Sequence, residues 1–323
     1  MKINYKSIKY FIGLCLLLNT GSTIFSSQNL ENLNIPCGLE NSPPPARSLM
    51  HFEFLKEKKV ISFSGTGVEL SHMFGVAWWL YENDISKKED LCFMGISGGS
   101  LTAAILASGI ELSKEKMLGW LQDSMGISLY NFLHMFHTDG ALKNTTLFKD
   151  LKTVENLSQK ISKKLVIALS EHPIPYYQAK PNDYDVLPLK ASFFGISNSY
   201  IFKNKNISAW DSTDNLLDCL RASCFLPWTN IGYSTSYWGN AYYSKGYYFD
   251  GGYSVYGAQP VPPQSPKALV NVNPYFFTGQ YPTFWMIQQL MLIKPWSWHV
   301  KNFEKGYEEA SALHKKGFWD AIL

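Results

Sequence analysis

The chain has 323 residues, of which 46% are apolar, 17% charged and 15% aromatic. This length suits one large domain or two small ones, and the composition excludes a disordered chain and a repeat array. The net charge is only +3, and no basic run with interleaved aromatics occurs, so nucleic acid is excluded as an expected partner. The aromatic surplus fits either a large aromatic core or a surface that meets a ligand or lipid.

The N-terminus has the pattern of a secretory signal peptide. Lys2, Lys6 and Lys9 precede a short apolar run at residues 10–18 and then a small polar stretch. This run falls well below the roughly 20 apolar residues of a spanning helix. We therefore expect a signal peptide over residues 1–25 and a secreted or lumenal protein, with a retained N-terminal membrane anchor as the alternative. The Pro-rich residues 26–54 are expected to be a leader segment.

Cysteines and possible glycosylation sites fit this compartment without requiring it. Asn144, Asn156 and Asn206 each begin an Asn-x-Ser/Thr triplet, the acceptor pattern of a secreted glycoprotein. The four cysteines beyond the signal peptide are too few for a disulfide scaffold. On a continuous helix Cys219 and Cys224 would lie about 7.5 Å apart along the axis, so we expect them not to pair.

Two segments repeat the order of strand, glycine loop and helix. A predicted strand at residues 59–64 runs into Gly65-Thr66-Gly67 and an apolar helix at 71–80, and a second strand at 91–94 runs through glycines into a helix at 100–108. Such units predict an α/β sheet with covering helices. The expectations for the rest of the chain are mostly helix at 113–169, a hairpin at 191–202, a helix from the N-cap Asp211-Ser212-Thr213, strands at 247–249 and 268–272, and a charged amphipathic helix from about 302.

The segment Gly95-Ile96-Ser97-Gly98-Gly99 matches the Gly-x-Ser-x-Gly pattern of a nucleophile elbow. In that turn, Gly95 and Gly99 leave room for a serine on a strained strand-to-helix connection, and the helix N-terminus favours negative charge beside Ser97. The alternative is a tight glycine turn with an incidental serine. An active serine also needs a base and oxyanion donors. Asp250, on the turn Asp250-Gly251-Gly252, offers the first, and the amides of Gly65, Thr66 and Gly67 offer the second.

In this order, four motifs resemble the patatin-like phospholipase family, and in particular its animal-type lipase branch. They are Ile61-Ser62-Phe63-Ser64-Gly65-Thr66-Gly67, Gly95-Ile96-Ser97-Gly98-Gly99, Leu220-Arg221-Ala222-Ser223-Cys224-Phe225-Leu226-Pro227 and Asp250-Gly251-Gly252. The resemblance implies a three-layer α/β/α fold with a mostly parallel central sheet, Ser97 as nucleophile, Asp250 as base and an oxyanion hole at residues 65–67. It implies a catalytic domain over residues 55–262, followed by the last strand and a helical C-terminal extension at 263–323.

Two departures from the family pattern bear on activity. Glu69 and Leu70 stand where many members have a basic residue and glycine, and Ala258-Gln259-Pro260 replaces the usual Asn-x-Pro. Such departures can impair catalysis or alter the substrate. The loop glycines, the nucleophile and the aspartate are all present, so an active enzyme is expected.

The histidines offer other chemistries. His299 or His314 would complete the chain order Ser, Asp, His of a conventional triad, although a surface or packing role is favoured. His134 and His137 share a helix face, but Asp139 is their only nearby ligand type, so no metal is assigned.

The expected function is lipid acyl hydrolysis, by a phospholipase or acylglycerol lipase, through an acyl-enzyme and with no cofactor. The expected substrate is a lipid at a membrane or lipid-droplet-like interface. A tail from residue 284 to 298 combines Leu, Met, Ile, Phe and Trp with polar interruptions. This pattern is typical of an interfacial segment, with a buried packing helix as the alternative. The alternatives are an inactive patatin-like lipid-binding protein and an acyltransferase that uses the same serine. No protein partner can be inferred.

Overall fold

A computed structural model describes residues 52–125, 145–171, 203–224, 242–243, 246–251, 266–273 and 294–323. They all belong to one unit, Leu49–Asn230 with Thr235–Leu323. The strands in this part of the chain are β1 (Lys59–Phe63), β2 (Leu91–Ile96), β3 (Leu165–Glu171), β4 (Lys203–Ile207), β5 (Tyr242–Tyr243), β6 (Gly246–Asp250) and β7 (Ala268–Val272). The helices are α1 (Leu70–Glu82), α2 (Gly98–Ser108), α3 (Lys114–Met125), α4 (Thr146–Thr153), α5 (Leu157–Ile161), α6 (Thr213–Ser223) and α7 (Trp296–Lys315).

The centre of the sheet is parallel. β7, β1, β2 and β3 lie side by side in that order, and all three of their pairings are parallel. β3 also pairs antiparallel with β4 and with β6, and β6 pairs antiparallel with β5. Parallel strands covered on both faces are apolar throughout, which explains why β2 is buried along its whole length. The predicted α/β class is confirmed.

Successive residues of the central strands point to opposite faces of the sheet. One face carries Ile61, Phe93 and Ile167, which belong to a core cluster that includes residues from all seven described helices. The opposite face carries Cys92 and Met94 and packs on a 3₁₀ turn at Glu53–Glu57. Phe52 and Phe54 contribute to this second cluster, so the end of the predicted leader segment is part of the fold.

Several predicted elements are confirmed, and others need correction. The strand at 268–272, the end of a strand on Asp250 and the helix capped by Ser212 are all present. The helical prediction for 113–169 was wrong at its end, because β3 occupies residues 165–171 in the middle of the sheet. A short run that is apolar at every position shows neither the two-residue period of a half-buried strand nor the 3.6-residue period of an amphipathic helix. Its sequence therefore does not distinguish a buried strand from a buried helix. The last helix starts at Trp296, six residues before its predicted start near 302.

Outside the described residues lie the predicted signal peptide, the predicted hairpin at 191–202, and residues 284–293.

The described residues of the C-terminal segment, 266–273 and 294–323, are integral to the core. β7 pairs with β1, and α7 crosses α1 at two glycines. A Cβ on Gly75 would overlap the carbonyl oxygen of Phe303, and a Cβ on Gly306 would overlap that of His72. The two backbones therefore touch, as at other small-residue helix crossings. Across the same pair of helices, His72 Nε2 lies 2.7 Å from Glu309 Oε2.

Three features bear on compartment and membrane contact. Cys92, Cys219 and Cys224 are buried free thiols, as expected for the last two because α6 runs unbroken to Ser223. Asn156 is exposed, but Asn206 is only 8% exposed within β4. Among the described helices, none is both long and apolar enough to cross a bilayer.

The close crossing of α1 and α7 predicts opposite effects for two glycine substitutions. Gly306→Ala forces the helices apart and should lower the free energy of unfolding by about 2–3 kcal/mol. In Gly119→Ala the new Cβ meets nothing within 4 Å, so better helix propensity should raise it by up to about 1 kcal/mol. Urea unfolding of both variants measures this. Equal changes in the two proteins would contradict the close crossing.

Candidate active site

The predicted nucleophile and base lie where two strands run into each other. β4 pairs with β3 residues 167–171, so it occupies one edge of β3. β2 pairs with residues up to Ala168 and β6 pairs from Leu169 onward. Since both overlap β4 along β3, both must use its opposite edge. Ile96 and Asp250 thus face consecutive β3 residues, about 3.3 Å apart along the strand. The C-terminal ends of β2 and β6 therefore meet on this edge, and each strand must leave the sheet there. β2 leaves through Ser97, and β6 leaves through Gly251.

Ser97 makes the turn from β2 into α2 in a strained conformation. Its φ of 53° and ψ of −132° lie in a region that non-glycine residues seldom occupy, at a cost of about 1–3 kcal/mol. Its amide donates to Ser223 Oγ at 3.0 Å, and its carbonyl accepts from the amide of Ser100 at 2.9 Å. The residue retains 8% exposure. A serine held this way has the backbone of a nucleophile elbow.

Glycines allow the elbow and the glycine turn after β1 to pack closely. A Cβ on Gly99 would overlap the carbonyl oxygen of Ser64, and one on Gly95 would overlap that of Gly99. Gly67 has a positive φ of 50°, which turns the chain into α1. The amides of residues 65–67 donate to no acceptor in the described part of the chain. Unused donors therefore lie next to the start of α2, whose own first amides also lack intrahelical partners.

Serines on α6 and β3 hold the two turns in place. Ser223 Oγ accepts from Ser97 and donates to the carbonyl of Ala168 at 2.9 Å. Ser170 Oγ contacts the carbonyl oxygens of Asp250 and Gly251 at 2.8 and 3.1 Å. A Cβ on Gly251 would overlap the Ala168 carbonyl and lie 2.5 Å from Ile96 Cγ1. The aspartate turn therefore closes directly on the strand that carries the elbow.

The carboxylate of Asp250 lies on the helix-covered side of the sheet. Asp250 is 5% exposed and lies two residues after Tyr248 on β6, so both side chains are on the same face of the sheet. The Tyr248 side chain belongs to the main core. Burial raises the pKa of the Cys224 thiol well above its ordinary range, and the charge of Asp250 raises it further. The C-terminal end of α6 thus approaches both the elbow and the aspartate, and Cys224 there stays a neutral thiol.

Glu69, one of the two departures from the family pattern, points toward α7. Its carboxylate accepts from Asn302 Nδ2 at 2.8 Å, and the same amide group donates to Ser71 Oγ at 3.0 Å. The Glu69 amide donates to the carbonyl of Thr66 at 2.9 Å. Glu69, two residues after the glycine turn, is therefore anchored to the C-terminal helix α7. Leu70 is buried.

Neither histidine considered for a triad contacts Ser97 among the described residues. His299 Nδ1 lies 3.3 Å from Ser71 Oγ, and the Trp298 ring meets the His299 ring edge-on at 5.1 Å. Burial, with a smaller contribution from the charge of nearby Lys294, lowers the pKa of His299 to about 4. His314 packs on Trp79 at the other end of α1, with ring centroids 5.4 Å apart. Both histidines pack between α7 and α1.

The structure thus brings together the predicted site residues Ser97, Asp250, the glycine turn at 65–67, Gly95, Gly99 and Gly251. Gly252, His134, His137 and Ala258-Gln259-Pro260 lie outside the described residues. No group of three potential metal-ligating side chains occurs within the described ranges. The supporting contacts of Ser170, Ser223 and Asn302 were not predicted from the sequence. Ser223 lies within one of the motifs, whereas Ser170 lies in β3, most of which falls in the range predicted as helix.

The comparisons with known proteins leave the family open. No family model matches the chain. No curated protein matches it significantly in sequence.

The hydrogen bond from the Ser97 amide to Ser223 can be tested by comparing Ser223 with Ser108, a buried serine that has the same hydrogen-bonding pattern. Ser108 Oγ also donates to a carbonyl, that of Ile105, and accepts an amide, that of Ile110, but at the far end of α2. Ser223→Ala and Ser108→Ala should each cost about 1–3 kcal/mol of unfolding free energy. Only Ser223→Ala should also lower kcat for ester hydrolysis, by about tenfold or more, because it frees the elbow amide. Equal kcat values for the two variants, from steady-state assays, would show that Ser223 serves the fold alone.

Proposed function

We propose that the protein is a serine carboxylic-ester hydrolase that acts on lipids. The observation that carries this proposal is the strained backbone of Ser97 at the point where β2 meets β6, with a glycine turn packed against it. Native proteins keep such strain mainly at functional sites. A tight glycine turn with an incidental serine would need neither the positive φ at Ser97 nor the buried aspartate beside it.

In the proposed reaction, Ser97 Oγ attacks the ester carbonyl carbon while Asp250 accepts its proton. The alcohol leaves with that proton and an acyl-enzyme remains on Ser97. Water then attacks the acyl group while Asp250 takes a proton from the water. The bond to Ser97 Oγ breaks, Asp250 returns its proton to Ser97 Oγ, and the carboxylic acid is released. The amides at residues 65–67 and at the start of α2 stabilise the oxyanion in both halves. These steps use no cofactor.

We also propose membership of the patatin-like phospholipase family, with its three-layer fold. The support is the order of the four motifs and their grouping: the glycine turn follows β1, the serine follows β2, Ser223 ends α6 and the aspartate ends β6. Helices cover one face of the sheet and a 3₁₀ turn covers part of the other. This arrangement is compatible with three layers.

A lipid interface is the proposed site of action, and the secretory pathway the proposed location. The signal-peptide pattern supports the location, with a retained anchor as the alternative. Trp296 and Trp298 support the interface because each is half-buried against the main core and keeps an exposed part at the start of α7. Lys294 lies over the Trp298 ring, 5.6 Å from its centroid, a combination suited to lipid headgroups.

Substitutions at the proposed dyad should separate chemistry from stability. Ser97→Ala and Asp250→Asn should each abolish ester hydrolysis, by several powers of ten, while the protein stays folded. Ser97→Gly should be equally inactive but more stable by about 1–2 kcal/mol, because glycine relieves the positive φ. Hydrolysis of a lipid panel and thermal unfolding measure these effects. His314→Ala should keep most of the hydrolytic activity. A loss of activity comparable to that of Asp250→Asn would favour a Ser-Asp-His triad instead of the dyad.

The interface proposal predicts a difference between two kinds of substrate. Trp296→Gln with Trp298→Gln should lower hydrolysis of emulsified or vesicle lipid about tenfold while sparing a soluble p-nitrophenyl ester, because adsorption weakens and chemistry does not. Trp78 on α1 is also half-buried, and Trp78→Gln serves as the control. It should change the rates of hydrolysis of the two kinds of substrate by the same factor. Equal losses on the two substrates in the double variant would assign its tryptophans to the fold.

A further inference from the structure

Two hydroxyl groups beside the candidate site are buried without a hydrogen bond. Ser64 Oγ and Thr66 Oγ1 both lack a partner among the described residues, and each residue is 1% exposed. Thr66 precedes the 3₁₀ turn at Gly67–Glu69, but its side chain does not cap that turn. A buried hydroxyl left unpaired costs about 1–3 kcal/mol. Such a group therefore needs a reason to be retained.

The Thr66 hydroxyl points at the residue that follows the proposed nucleophile. A Cβ on Gly98 would overlap Thr66 Oγ1, but it would lie 3.7 Å from Thr66 Cβ. The oxygen is thus the part of the Thr66 side chain nearest to the Gly98 backbone. Gly98 opens α2, so its amide belongs to the helix N-terminus that faces developing negative charge. The Thr66 hydroxyl and this amide therefore both lie at the residue that follows Ser97.

Ser64 differs in what it presents to the elbow. Its carbonyl oxygen, and not its hydroxyl, lies against Gly99. Its amide donates to the carbonyl of Val272 in β7 at 3.1 Å. Ser64 and Thr66 thus share burial and an unpaired hydroxyl, but only Thr66 directs that hydroxyl toward the residue after the nucleophile.

From this geometry we infer that the Thr66 hydroxyl is a side-chain donor to the oxyanion, in addition to the backbone amides. The inference rests on the proposed ester hydrolysis. Attack forms the bond from Ser97 Oγ to the carbonyl carbon, moves the carbonyl π electrons onto oxygen and passes the serine proton to Asp250. Collapse breaks the bond to the alcohol, which leaves with that proton. Between these steps the substrate oxygen is anionic, and the neutral Thr66 hydroxyl donates to it without losing its own proton.

A transition-state donor has a distinctive kinetic effect. Thr66→Val preserves the shape of the side chain and the Thr66 amide but removes the O–H. We expect kcat to fall about 100-fold, as for other single oxyanion donors, with KM changed less than about twofold, because the ground-state carbonyl is uncharged. The stability of Thr66→Val should equal or exceed that of the wild type, since the lost hydroxyl was unpaired. A merely structural role would lower stability and leave kcat intact.

The experiment compares Thr66→Val, Thr66→Ser, Ser64→Ala and Ser97→Ala in the full chain, with steady-state hydrolysis and urea unfolding for each. Thr66→Ser, which retains the hydroxyl, should recover kcat to within about fivefold of the wild type, and Ser64→Ala should leave kcat unchanged. Wild-type kcat in a folded Thr66→Val variant, with activity still dependent on Ser97, would overturn the role of Thr66 alone. If the wild-type protein shows no hydrolysis, or if hydrolysis survives in Ser97→Ala, the proposed hydrolase function and this role are overturned together.

Discussion

One edge of β3 is shared by two strands that approach from opposite directions, and the candidate site depends on this constraint. β2 uses the edge as far as Ala168 and β6 uses it from Leu169 onward. Neither strand can continue without displacing the other, so each must turn out of the sheet at the same level. Backbone strain at Ser97 and the close approach of Gly251 to Ile96 follow from this collision. The sheet thereby holds a hydroxyl and a carboxylate together on rigid strand ends.

The last two described helices each hold a different part of the candidate site. α6 ends beside the collision, where Ser223 satisfies the elbow amide and Cys224 approaches Asp250. α7 packs on α1 through paired glycines and binds Glu69, just after the glycine turn, through Asn302. The position of the glycine turn relative to Ser97 is therefore set partly by a helix that lies far along the chain, since Glu69 and Asn302 are 233 residues apart. The residue that α7 contacts there, Glu69, is one of those at which the chain differs from the pattern that the motifs resemble.

Local signals predicted the pieces of the site, but not what joins them. Glycines, a following apolar helix and a flanking strand are local features, so the elbow, the glycine turn and the aspartate turn could be placed from sequence. β3 could not, because its residues 165–169 are apolar without alternation, as buried parallel strands are. Without β3 the junction of β2 and β6 cannot be derived. The unpaired hydroxyl of Thr66 was equally hidden, since pairing depends on distant neighbours.

The central claim is that Ser97 is an activated nucleophile. Its most direct test is covalent labelling of the intact protein with a fluorophosphonate, followed by mass spectrometry of the whole chain and of its peptides. Such reagents react with serines that have both a base and oxyanion donors. The account predicts one adduct per chain, located on Ser97, and much slower labelling in Asp250→Asn. An adduct on a different serine, or no adduct on the folded protein, would contradict it.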